Sequence, residues 1–188
     1  RQVCRVAVTV EYRVSRGKFA RGTLRVDHGE TLTTVGITNQ FLYRDIGESR
    51  IQEAEPKITA LGPIARFHLI GHLQTNKVRK AVALFDVIQS VDSLKLAEEI
   101  SRRAEEAGRT IECLIEVNCS GEASKSGVAP DEALGLIGQV HGLPSLQVAG
   151  LMTIGPLTDD VDRVREAFRT CRRRWQVRST RSRCRRRW

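Results

Sequence analysis

Between residues 46 and 168, short β-branched runs alternate with amphipathic stretches, and this alternation restricts the chain to an α/β fold on a parallel sheet. Strand-like runs lie at 67–70, 87–91, 113–119 and 146–154, each bounded by Gly, Asp or Ser. After Asp92 or Ser93 as N-cap, Leu94, Ala97, Ile100 and Ala104 recur at three- and four-residue steps until Gly108 supplies a stop. Pro130, with Asp131 and Glu132 beside it, predicts the first turn of a second helix with Leu134, Ile137 and Val140 facing inward. A third is predicted from Thr158, with Asp159 and Asp160 in its first turn and Val161, Val164 and Phe168 on one face. Right-handed crossovers then give either a doubly wound sheet or a (β/α)8 barrel, and periodicity alone does not choose. A complete barrel takes about 250 residues, with a lower limit near 200. At 188 residues the chain is slightly short for one.

Charge divides the chain. It carries 31 Lys and Arg against 22 Asp and Glu, but residues 169–188 hold ten Arg and no acid, leaving residues 1–168 with a net charge of −1. A neutral body gives no broad basic face for nucleic acid. The tail has few apolar residues to bury and is expected to be disordered or, at most, an extension of the preceding helix. Residues 5–10 and 24–26 read as strands, whereas 29–43 show no clean period. Cys4, Cys113, Cys119, Cys171 and Cys184 form an odd, scattered set without a C-x-x-C pair, which argues against a disulfide framework and a zinc site and for a reducing compartment. With no apolar run near the roughly 20 residues needed to span a bilayer, and no signal-type N-terminus, a cytoplasmic location is expected.

Few single motifs carry chemistry. The segment 118–127 brings glycines and Lys125 together, but Lys125 precedes Gly127 and Val128 follows it, so a phosphate loop is excluded by spacing. What remains is a polar loop at the carboxyl end of a strand, the place where barrel active sites lie. His68 and His72 sit where strand runs into loop and would not share a helix face. His68 reads either as a satisfied core imidazole or as a polar group lining a pocket. Asn118 and Met152 fall at strand ends facing a ligand mouth.

Five segments in order carry more. Ile-Gly-Glu-Ser-Arg-Ile-Gln-Glu-Ala (46–54), Phe-His-Leu-Ile-Gly-His-Leu-Gln-Thr-Asn-Lys (67–77), Ser-Val-Asp-Ser (90–93), Ser-Lys-Ser-Gly (124–127) and Gly-Leu-Met-Thr-Ile (150–154) resemble the pyridoxal phosphate homeostasis protein family over residues 47–168. Its fold is similar to the N-terminal barrel of alanine racemase. The resemblance implies a TIM-type (β/α)8 barrel that binds pyridoxal 5′-phosphate (PLP) through a Schiff base to a lysine of the first barrel strand. It also implies a role in intracellular PLP homeostasis, exchange with PLP-dependent apoenzymes, and no established turnover. A Schiff base needs a primary amine that can lose its proton, which Lys supplies. Counting back from the second-strand motif places that position near His28, and Lys18 lies too early. The resemblance therefore implies impaired cofactor attachment. By the same resemblance Ser49 stands where a ring-facing Asn is usual, His68, Asn118 and Met152 line the pocket mouth, and Lys125 is the nearest amine.

Beyond Phe168 the family continues into two further strands with a Ser-Met-Gly-Met-Ser segment and an Arg-Ile-Gly segment, and here the arginine-rich stretch stands instead. The expectation is one incomplete barrel domain over residues 1–168, with 1–45 divergent and the last two strands missing, followed by the tail 169–188. A racemase-like enzyme and a nucleic-acid binder acting through the tail arginines are the rival readings. Both unusual ends flank an ordinary middle, the pattern of a shifted reading frame. Translating the other two frames of the gene around codons 12–46 and after 168 should recover Val-Ser-Lys and Ser-Met-Gly-Met-Ser, and their absence from both frames defeats the frame-shift reading.

Overall fold

The computed structural model describes residues 7–14, 18–25, 45–61, 66–122 and 124–181. Strands β1 (Ala7–Val14) and β2 (Lys18–Arg25) form an antiparallel hairpin with Val14 opposite Lys18. The strands expected at 5–10 and 24–26 fall partly on this hairpin. Residues 5, 6 and 26, the stretch 29–43 and the His28 position lie outside the described residues.

From Asp45 onward strand and helix alternate as the pattern requires. The elements are β3 (Asp45–Glu48), α1 (Ile51–Leu61), β4 (Arg66–Leu69), α2 (Val78–Leu84), β5 (Val87–Val91), α3 (Leu94–Glu106), β6 (Ile111–Glu116), α4 (Ala133–Val140), β7 (Leu146–Met152) and α5 (Val161–Arg181). The five later strands are parallel and lie in the order β3-β4-β5-β6-β7. This is the α/β class with part of a TIM-type barrel, and closure is not seen among the described residues. No helix among them is long and apolar enough to cross a membrane.

Burial explains the alternation. Phe67 and Leu69 of β4, Ile88 of β5 and Ile111, Cys113 and Ile115 of β6 point at the helix layer and are almost fully buried. Against them pack Leu96, Ala97, Ile100 and Ala104, the apolar stripe of α3. Ser93 caps that helix, its hydroxyl accepting the Leu96 N–H at 3.4 Å, and Gly108 ends it with φ +61°, a value suited to glycine.

Several expected boundaries move, the strands expected at 67–70 and 146–154 running over Arg66–Leu69 and Leu146–Met152. The strand expected at 113–119 runs instead over Ile111–Glu116, because after Glu116 the chain turns onto Val128, whose N–H bonds the Glu116 carbonyl at 2.9 Å. The helix expected to open at Pro130 opens at Ala133, since the Glu132 N–H closes a turn on the Ala129 carbonyl at 3.0 Å first. The helix expected from Thr158 begins at Val161, where the Asp160 carboxylate takes the Asp162 and Arg163 N–H groups at 3.0 and 3.2 Å. Its contact stripe differs accordingly. Val161 and Phe168 are 56% and 49% exposed, whereas Ala167 and Cys171 are buried, with Val164 and Trp175 continuing the same face. Of the two states expected for the arginine-rich stretch, residues 169–181 take the helical one as the continuation of α5, and 182–188 lie outside the described residues.

The carboxyl ends of β3, β4 and β5 meet at Gly71. The Ile70 N–H donates to the Glu48 carbonyl at 3.0 Å and the Ser90 hydroxyl to the Gly71 carbonyl at 2.7 Å. A Cβ on Gly71 would lie 2.0 Å from the Ser49 carbonyl oxygen, a backbone atom that cannot swing aside. Gly71→Ala should therefore destabilise the fold by about 2 kcal/mol or more in chemical denaturation, because β3 must part from β4 to admit one methyl group. A cost near that of a surface substitution would show that this close approach is not needed.

Candidate functional site

The sheet face turned away from the helix-packed core is polar where β3, β4 and β5 adjoin. His68 stands half-buried on β4, and its neighbours Phe67 and Leu69 point the opposite way. Parallel pairing places Asp45 of β3 and Gln89 of β5 on the same face as His68, on either side of it. The Gln89 amide donates to His68 Nδ1 at 2.7 Å, so the ring hydrogen lies on Nε2 and is given to Asp45 Oδ1 at 2.9 Å. Both ring nitrogens are thus engaged in a chain that crosses three strands. The ring is satisfied in its hydrogen bonds and stands on the inner face, where Gln89 links it to the adjoining cavity.

Next along the sheet lies a cavity of about 440 Å³. Gln89, Leu114 and Met152 form its sheet wall, and Phe168, Arg172 and Trp175 of α5 form the facing wall. Glu116 points to the sheet's inner side as well, in register with Met152, and is only 4% exposed. Burial, reinforced by the negative charge of Asp92, pushes its carboxyl up from the ordinary 4.5 to about 7.

The loop after β6 is built around Asn118. Its side-chain amide donates to the carbonyls of Glu122 at 2.8 Å and Lys125 at 3.3 Å, and its Oδ1 accepts from the Ser120 hydroxyl at 2.9 Å. Gly127 lets the loop return to the strand, since a Cβ there would lie 2.7 Å from the Asn118 nitrogen and φ is +106°. Lys125 crosses to the next loop. Its Nζ donates to the Gly155 carbonyl at 2.8 Å and pairs with Glu122 at 3.0 Å. Ser126 approaches His72 Nδ1 at 3.4 Å, and His72 lies 3.7 Å from Asp92, so the loops after β4, β5 and β6 adjoin.

Sequence reasoning placed Ser49, His68, Asn118, Lys125 and Met152 at one mouth. All five lie on the carboxyl halves of strands or in the loops that follow them, but they fall into groups. His68 and Met152 are linked through Gln89 along the inner face, whereas Asn118 and Lys125 share the β6 loop. Ser49 is exposed beyond β3, with its carbonyl against Gly71. Asp45, Gln89 and Glu116 were missed. Gln89 is the one amide in the apolar run Val87–Val91 and Glu116 closes another such run, so an isolated polar residue in an apolar strand was the available signal.

Comparison with known proteins bears on the fold. The family model for the alanine racemase N-terminal domain matches residues 31–185. The pyridoxal phosphate homeostasis protein of Aquifex aeolicus is 41% identical over 67% of this chain, which spans 56% of that relative's length. PipY of Synechococcus elongatus, solved with PLP bound, is 35% identical and superposes with a TM-score of 0.65, covering 73% of this chain and 65% of PipY. Alanine racemase of Clostridium difficile is 12% identical with a TM-score of 0.60, covering 73% of this chain and 36% of the racemase, a likeness of fold.

Glu116 gives the sheet a pH dependence. Its folded pKa of about 7 lies above the ordinary 4.5, so the folded state binds the extra proton between those values. That contribution is fully present below pH 4.5 and is lost as pH rises through 7, about 3 kcal/mol in all. Denaturation midpoints of the protein and of Glu116→Gln measured from pH 5 to 8 should diverge as pH rises, the variant gaining on the parent. Parallel profiles would place the carboxyl in contact with water.

Proposed function

The chain belongs to the alanine racemase N-terminal domain family, and on that premise we propose that it is a PLP-binding chain of the homeostasis type that holds the cofactor noncovalently. The observation that carries this reading is the polar inner face. A parallel strand with both sides packed reads as an apolar run, yet β3, β4 and β5 turn Asp45, His68 and Gln89 to the inner face, an arrangement suited to a polar ligand on that side of the sheet.

The residues present fit the cofactor's surroundings better than its covalent link. No lysine occurs between Lys18 and Lys57. Lys125 is near the mouth, but its amine is held by the Gly155 carbonyl and Glu122, contacts that must be broken before it can meet an aldehyde. When bound, PLP supplies an aldehyde and an electron-accepting ring. The chain's own part is to bind and orient it. His68, fixed in one tautomer, presents a ring edge on the inner face. Asn118 keeps the β6 loop in shape, and Lys125 contributes positive charge that favours the phosphate. A noncovalent hold also suits transfer to PLP-dependent apoenzymes, the partners that the family resemblance implies.

Equilibrium dialysis against PLP, followed by borohydride reduction and mass spectrometry, tests the proposal. Saturable retention that is lost on dilution is expected, with no lysine retaining the cofactor after reduction above the level of a urea-unfolded control. Lys125→Ala should weaken retention by severalfold without abolishing it, as expected for a rim charge. A reduction-stable adduct concentrated on Lys125 or Lys18 would overturn the noncovalent reading, and absence of saturable retention would overturn cofactor binding altogether.

A further inference from the structure

Two thiols that the proposed function does not use face one another across the fold. Cys119 sits three residues beyond β6, in the loop fixed by Asn118, and its N–H bonds the Val117 carbonyl at 3.0 Å. That carbonyl also accepts the Thr153 hydroxyl at 2.7 Å, which ties the Cys119 backbone to the end of β7. Cys171 lies on the buried stripe of α5 and is 8% exposed. The two residues are 52 positions apart in sequence, but Cys171 lines the same cavity as Thr153, whose hydroxyl is tied to the Val117 carbonyl beside Cys119, and the two free thiols lie within hydrogen-bonding reach of each other. Arg174, one turn along α5 from Cys171, pairs with Asp131 and holds the helix over this loop.

We propose that Cys119 and Cys171 are a reversible dithiol–disulfide site, oxidised by a low-molecular-weight disulfide such as oxidised glutathione, that fastens α5 to the end of β6.

The environment assigns a role to each sulfur. Hydrogen bonding from Cys171, aided by Thr153 and by the positive charge of Arg174, lowers the Cys119 pKa and favours its thiolate over that of Cys171. The shared hydrogen bond with Cys119, together with burial, raises that of Cys171. Cys119 is also the more exposed of the two. It is therefore the attacking group. Its thiolate forms a bond to one sulfur of the small disulfide, whose S–S bond breaks and releases one small thiolate. Cys171 then gives up its proton to a thiolate or to water and attacks the Cys119 sulfur, and the second small thiolate leaves. Two protein thiols are oxidised to one disulfide and one small disulfide is reduced to two thiols. A thiol–disulfide couple of this kind is at home in a reducing compartment, where lasting structural disulfides are not.

The test uses the full chain in its folded state, treated with oxidised glutathione, quenched with an alkylating agent and mapped without reduction. The expected product is one cross-linked peptide pair joining Cys119 to Cys171, with Cys113 alkylated only after unfolding. In Cys171→Ser the glutathione should remain on Cys119 as a mixed disulfide. Closing a loop this long should also raise the Tm of the oxidised protein by roughly 5 °C or more, an increase reversed by dithiothreitol. Mixed disulfides that persist on Cys119 in the parent protein would overturn the proposal. So would cross-links to Cys4 or Cys184 in comparable yield.

Discussion

A parallel sheet needs cover on both faces, and the chain meets that requirement in two different ways. On one face α1 to α4 supply the aliphatic side chains that bury Phe67, Ile88, Ile111 and Ile115. On the other, where a closed barrel would fill its interior with layers of side chains, the polar chain of Asp45, His68 and Gln89 lies beside a cavity walled by α5. Polar groups there are tolerable because each bonds across strands, and the register fixes those bonds. Displacing β4 by one residue would turn His68 into the aliphatic layer and Phe67 into the cavity side. Register, polar network and candidate site are therefore consequences of the same pairing.

Much of this was legible in the sequence because local signals agreed with the fold. Val87–Val91 has the bounds its flanking residues suggested, and Ser93 and Gly108 mark the ends of α3 as their chemistry predicts. Two motif glycines also acquire a reason. Gly71 admits the Ser49 carbonyl, and Gly127 brings the β6 loop back against Asn118. Both are places where backbone meets backbone, a constraint that restricts the residue type without naming the partner.

What stayed illegible depends on contacts between distant segments. Nothing in the spacing of Asp45, His68 and Gln89 announces that one ring will bridge the other two, since that follows from strand register alone. The start of α5 was ambiguous because Thr158, Asp159 and Asp160 are all competent near a helix start, and the choice fell to the carboxylate that reaches two N–H groups. Composition left the arginine-rich stretch between disorder and an extension of the preceding helix, and arginine is a good helix former. Trp175 and Cys171 give that helix a buried edge, and Arg174 an ion pair with Asp131. Composition weighs the average residue of such a segment, whereas docking depends on the few that face inward.

Strand order in the parallel sheet is also chain order, from β3 through β7. Each pairing is made with the strand that came before it, so only one intervening helix and its loops must be ordered at every step. Loop closure is then a sequence of modest entropic costs rather than one large one. During synthesis each strand can be laid on the edge just completed, without waiting for a distant partner. That growth starts from β3 and β4, and α5, which walls the cavity on the inner face, has its place only once β5, β6 and β7 have been added.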